Sequence, residues 1–128
     1  MYIVEVSIRC AKATLTDREV WNLVNYVLAE SVKEGLNPPD HLRVVVLDGT
    51  AFKRYTEKEG VVADSGFCKA FPPLIVVRGD ITADNLAFIL VKLARAIVVL
   101  NTYGAVNMDE CDNWAREHFM RALSYMVR

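Results

Sequence analysis

The segment Leu86–Leu100, with the sequence LAFILVKLARAIVVL, decides the fold, because it is the most apolar stretch of the chain. Thr82 is predicted to cap it as a helix over about 84–100. Lys92 and Arg95 are its only charged residues. The stretch is too short to span a bilayer comfortably and carries both charges near its middle. It therefore predicts a buried core helix rather than a membrane span.

Length and composition indicate a single globular domain over residues 1–128. Hydrophobic residues make up 53% of the chain and charged residues 24%, a composition that excludes the disordered class. The formal net charge is -1, from 15 basic and 16 acidic residues. This balance predicts no general nucleic-acid binding. A local basic patch is the one alternative that it does not exclude.

The cysteines and the N-terminus favour an intracellular protein. Cys10, Cys68 and Cys111 are odd in number and widely spaced, and they show no zinc-binding spacing. Three reduced thiols are expected, and one disulfide with a free thiol is the alternative. No basic leader followed by an apolar stretch opens the chain, so no signal peptide is predicted. We therefore expect a cytoplasmic protein that does not enter a membrane.

The first half of the chain predicts strands around one amphipathic helix. Residues 2–10 alternate apolar and polar side chains, which is typical of a half-exposed strand. A capping box at Thr16 opens a helix over about 16–34. The β-branched runs at 42–47 and 74–77 predict two short buried strands.

The remaining segments complete an α+β pattern. Asp48-Gly49 is interpreted as a turn, and 52–56 and 61–63 as two further short strands. Asp109 and Glu110 begin the final helix, where negative charge suits the helix dipole. The predicted fold class is therefore α+β, a mixed β-sheet with one N-terminal helix and two C-terminal helices.

Lys92 and Arg95 lie three residues apart and so share one face of the predicted core helix. Two interpretations of this face remain open. It is either the solvent side, kept hydrated by the two charges, or one wall of a cleft that holds polar chemistry on an otherwise apolar helix. The pair of charges alone does not decide between them.

A longer pattern surrounds these charges. The octapeptide Val91–Val98, VKLARAIV, is followed by the turn Tyr103-Gly104 and by an acidic helix start, DECDNWARE, over Asp109–Glu117. From Ile81 to Phe119 this resembles the core of zincin-like metallopeptidases. In that family a helix carries H-E-x-x-H, often within HELAHAIV, and a helix downstream supplies a third zinc ligand, often glutamate. The resemblance implies a zincin-like fold.

The catalytic letters of that motif are replaced. Val91 stands in place of the first histidine, Lys92 in place of the glutamate and Arg95 in place of the second histidine, and only Glu110 keeps the expected type. Two imidazoles hold Zn²⁺ and a carboxylate activates its bound water, so these replacements predict no metal site, no cofactor and no catalytic residue. On the resemblance, Arg95 instead pairs with Glu110 and ties the two C-terminal helices together.

Three functions follow from this pattern. The preferred one is a non-catalytic, zincin-like pseudoenzyme that acts as a binding or structural module for a peptide or protein partner. The first alternative is a small metal-independent enzyme or enzyme subunit, with an anion or peptide cleft around Lys92, Arg95 and Glu110. The second is a structural protein that self-associates, as a homo-oligomer, through its first helix or an exposed strand edge.

Overall fold

The computed structural model describes residues 2–128, and its four strands form one mixed sheet. In the order β1-β2-β4-β3, the first three strands are parallel and β3 runs antiparallel to β4. The bounds are Ile3–Arg9 for β1, His41–Leu47 for β2, Gly66–Ala70 for β3 and Pro73–Arg78 for β4. The predicted α+β class with a mixed sheet is confirmed.

The helices of the described chain are α1 (Asp17–Lys33), α2 (Gly49–Glu59), α3 (Ala83–Tyr103) and α4 (Met108–Met126). The predicted capping box opens α1: the Glu19 N–H donates to the Thr16 hydroxyl, and the Thr16 N–H donates to the Glu19 carboxylate. Within residues 2–128, no helix combines the length and the apolar character that crossing a bilayer requires.

The segment after β2 corrects the sequence interpretation, because it is helical where two short strands were expected over 52–56 and 61–63. Asp48 is an N-cap rather than a turn residue, and its carboxylate accepts the Ala51 N–H at 2.8 Å. Gly60, in the left-handed conformation with φ of 67°, ends the helix. The strand β3 also lies in this region and was not predicted.

The sheet separates two hydrophobic clusters. α1 and α3 cover one face, and α4 packs on both of these helices rather than on the sheet. α2 covers part of the other face through the smaller cluster Leu47, Phe52, Phe67 and Val76. The strands contribute their alternate residues to the larger cluster, namely Val4, Leu42, Val44, Val46, Ile75 and Val77.

Candidate functional site

The three replaced motif positions, Val91, Lys92 and Arg95, all lie on helix α3, but their surroundings differ. Val91 is fully buried in the larger hydrophobic cluster. The side chain of Arg95 is 12% exposed and that of Lys92 is 30% exposed. Each of these cations is paired with a carboxylate inside the helical layer, so neither is simply a solvated surface charge.

Arg95 binds Glu34, the residue that follows α1, and not Glu110 as the sequence had suggested. Its two terminal nitrogens donate to the two carboxylate oxygens of Glu34 at 3.0 and 3.2 Å. The same guanidinium donates to the hydroxyl of the buried Ser31 at 2.9 Å and lies 4.6 Å from the centre of the Trp114 ring. This bidentate contact joins α1 to α3.

A chain of polar contacts continues from Glu34 across α4. The Trp114 indole N–H donates to the Glu34 carboxylate at 3.0 Å, and the Trp114 ring stacks on His118 at 3.8 Å between centres. His118 Nδ1 lies 3.0 Å from the Tyr26 hydroxyl. Burial lowers the pKa of His118, with a smaller contribution from Arg121. This network holds α1, α3 and α4 together.

Lys92 points to a different partner on α4. Its ammonium lies 3.5 Å from one oxygen of Asp112, and the guanidinium of Arg116 donates to the other oxygen at 2.7 Å. The hydrogen bond from Arg116 is the main reason that the pKa of Asp112 is lowered. Lys92 therefore belongs to the α3–α4 contact.

Arg95 and Glu110 do not pair, but both line a groove of about 520 Å³ in the helical layer. Within residues 2–128, the Glu110 carboxylate makes no ion pair and no hydrogen bond. Lys92 is not part of this lining. We call this surface the α3–α4 groove, and its principal lining residues are Leu36, Arg95, Val99, Tyr103, Val106 and Glu110.

The thiols of Cys68 and Cys111 are held in their protonated form by burial. All three are free thiols. Burial raises the pKa of Cys68 to about 11, and burial also raises the pKa of Cys111 despite the nearby positive charge of Arg95. Because the thiolate is the reactive form, both side chains are protonated and unreactive at neutral pH.

Metal-binding side chains do not converge in the described chain: residues 2–128 contain no cluster of three or more His, Cys, Asp or Glu side chains arranged to hold an ion. The two histidines have different neighbours: His41 Nε2 lies 3.3 Å from a carboxylate oxygen of Glu5, whereas His118 contacts Tyr26 in the helical layer. The residues present do not fit a zinc site of the zincin type.

Comparison with known proteins yields no match, whether with family models, with curated proteins or with solved structures.

Sequence reasoning missed Glu34, which is the partner of Arg95. One local signal was available, because an acidic residue at the C-terminal end of a helix opposes the helix dipole and is stabilised by a nearby cation. Glu34 precedes the helix-ending Gly35, so its position predicts such a cation without saying which one.

Proposed function

We propose that this chain is a non-catalytic, zincin-like domain that binds a peptide or protein segment in the α3–α4 groove. The observation that supports this most strongly is the contrast between two of the groove's charges. The charge of Arg95 is neutralised by Glu34, whereas Glu110, in the same groove, has no side-chain partner within residues 2–128. The groove thus offers a free carboxylate but no free arginine.

The lining indicates the chemistry of the partner. Leu36, Val99 and Val106 provide an apolar wall, and Tyr103 is 69% exposed beside them. An exposed tyrosine offers a rigid contact surface of the kind that dominates binding interfaces. A segment with an apolar side chain next to a lysine or arginine fits this wall, with its cation on Glu110.

The enzymatic alternative has weaker support. A cleft that binds an anion through Lys92 and Arg95 requires those charges to be available, and both are paired with carboxylates of the same chain. The thiols of Cys68 and Cys111 are protonated at neutral pH, so they add no nucleophile. The zincin-like label itself rests on the sequence pattern of α3 and α4.

The proposal is tested with two fluorescein-labelled peptides, one alternating leucine with lysine and one alternating leucine with glutamate. We expect the lysine peptide to bind and to shift the NMR amide signals of Val99, Tyr103 and Val106. Glu110→Gln should weaken binding about tenfold, the effect of losing one charge-assisted contact, and Tyr103→Ala should weaken it at least as much. EDTA should change nothing, because no step needs a metal.

The matched control is Glu117→Gln, the same change at an exposed position of the same helix. This variant should bind as the unmodified protein does. Equal weakening by Glu110→Gln and Glu117→Gln would show only non-specific attraction. Absence of any shift in the groove at about 1 mM peptide would overturn the proposed binding function.

A further inference from the structure

β1 is an edge strand: among residues 2–128 it pairs with β2 alone, and its outer side has no neighbour in the sheet. The Ile3 N–H donates to the Asp40 carbonyl at 2.7 Å, on the side of β2. Alternate residues of a strand direct their backbone groups to opposite sides, so Val4, Val6 and Ile8 present theirs to the open edge. No proline interrupts this seven-residue edge, which leaves it able to pair with another strand.

A groove runs beside this edge, between β1 and the first turns of α1. It measures about 490 Å³ and is lined by Val6, Asp17, Arg18 and Trp21. The Trp21 side chain is 42% exposed although it lies on a helix that packs on the sheet. An open strand edge next to an exposed tryptophan is an incomplete apolar surface.

The charges of β1 are complementary to those of a second, antiparallel copy of the same strand. Glu5 and Arg9 lie on the same face of the strand, at equal distances on either side of Ser7. Antiparallel pairing of two copies about a two-fold axis through Ser7 places each Glu5 opposite Arg9 of the second copy. Glu5 makes one contact in its own chain, with His41, and Arg9 makes no ion pair within residues 2–128.

The backbone agrees with the same register. With the axis at Ser7, Val6 lies opposite Ile8 of the second copy, and both residues direct their N–H and carbonyl groups to the open edge. These two residues then exchange ladder hydrogen bonds, while the Glu5–Arg9 pair occupies the closer, non-hydrogen-bonded positions where side chains interact best. An axis at Glu5 opposes like charges, and an axis at Val6 leaves Glu5 opposite Ser7.

We propose that β1 pairs antiparallel with β1 of a second copy of this chain, about a two-fold axis at Ser7, to form a continuous eight-stranded sheet. The axis is perpendicular to the sheet, so the α1 helices of both copies lie on the same face. The two Trp21 side chains then flank the seam and close the groove beside Val6. This surface is separate from the α3–α4 groove, so either proposal can fail without the other.

Charge reversal tests the register. Sedimentation velocity from about 1 µM to about 1 mM should show a dimer of the unmodified chain. Arg9→Glu should weaken the dimer about 100-fold, because it replaces two attractive cross-strand pairs with two repulsive ones. The double variant Glu5→Arg, Arg9→Glu should restore the dimer, since it exchanges the charges and keeps their pairing. Arg54→Glu, the same change on an exposed residue of α2, is the control.

Amide hydrogen exchange supplies a second measurement on the same variants. The Val6 and Ile8 amides should be protected in the dimer and should exchange rapidly in Arg9→Glu, whose circular dichroism spectrum should remain that of the folded chain. A strictly monomeric protein at about 1 mM would overturn the proposal. A dimer that Arg9→Glu leaves intact, or one that the double variant does not restore, would overturn it as well.

Discussion

Glu34 connects three helices through one carboxylate, which accepts from Arg95 on α3 and from Trp114 on α4. The Glu34 side chain is 43% exposed, whereas that of Arg95 is 12% exposed. Removing the Glu34 carboxylate therefore destabilises the protein mainly through Arg95, because a nearly buried guanidinium loses its counter-charge. The main role of Arg95 is therefore to stabilise the packing of the helices, and its place in the groove is secondary.

We expect Glu34→Ala to lower the free energy of unfolding by about 2 kcal/mol, because Arg95 and the indole N–H of Trp114 both lose their acceptor. Glu34→Gln should recover part of this loss, since its amide oxygen still accepts a hydrogen bond. Urea denaturation followed by circular dichroism measures both variants. Lys33→Ala, at the exposed lysine that pairs with Glu30, should change little. A loss no larger than that of Lys33→Ala would contradict the role of Glu34.

His118 makes stability depend on pH. Burial is the main cause of its lowered pKa, Arg121 and Arg95 add to the shift, and Glu34 and Glu30 oppose it. The folded state thus favours neutral imidazole, and below the ordinary value of 6.5 the unfolded chain binds more protons. The stability due to this group is fully present above that value and falls as the pH decreases through it.

We therefore expect the urea midpoint to fall between about pH 7.5 and about pH 5.5, and to fall less steeply in His118→Gln. The NMR titration of the His118 ring should give a midpoint below 6.5. The same pH dependence in both proteins would show that other groups cause it.

At the scale of elements, α2 is the part of the fold that local patterns describe least well. It is short, and only Phe52 and Thr56 are buried along its length. The Asp48-Gly49 pair that begins it has the composition of a turn as well as that of a helix start. The position of α2 is decided by the apolar residues on this face of the sheet, Phe67 and Val76 among them, which the helix buries.

Phe52 attaches α2 to the sheet and is 2% exposed, with its ring 6.2 Å from that of Phe67. Phe52→Ala should lower the free energy of unfolding by about 3 kcal/mol, since it removes a buried aromatic ring and leaves a cavity. Lys53→Ala, at the exposed neighbouring position, should have a small effect in the same urea titration. Equal effects of the two changes would contradict the packing of α2 on the second sheet face.

At the scale of the whole molecule, the two faces of the sheet are covered unequally. α1 and α3 lie over one face, with α4 packed on these two helices, and α2 covers only part of the other face. On that second face β1 keeps Ile3, at 58% exposure, together with the charged Glu5 and Arg9. β1 is also the edge strand of the sheet. Its uncovered face and its unpaired backbone edge are therefore adjacent.

The sequence by itself determined the elements whose signals are local. The alternation of β1, the capping box of α1 and the Thr82 cap of α3 each depend on residues close in the chain. Their bounds in the structure agree closely with those predicted.

Only the tertiary structure decided which charges meet. Arg95 and Glu34 are separated by 61 residues. Nothing in the local sequence of Arg95 favours Glu34 over Glu110 as its partner. The choice depends on how α1 lies against α3, which the packing of their apolar faces sets. For the same reason the α3–α4 groove, and the availability of Glu110 within it, follow from the arrangement of helices and not from the motif pattern alone.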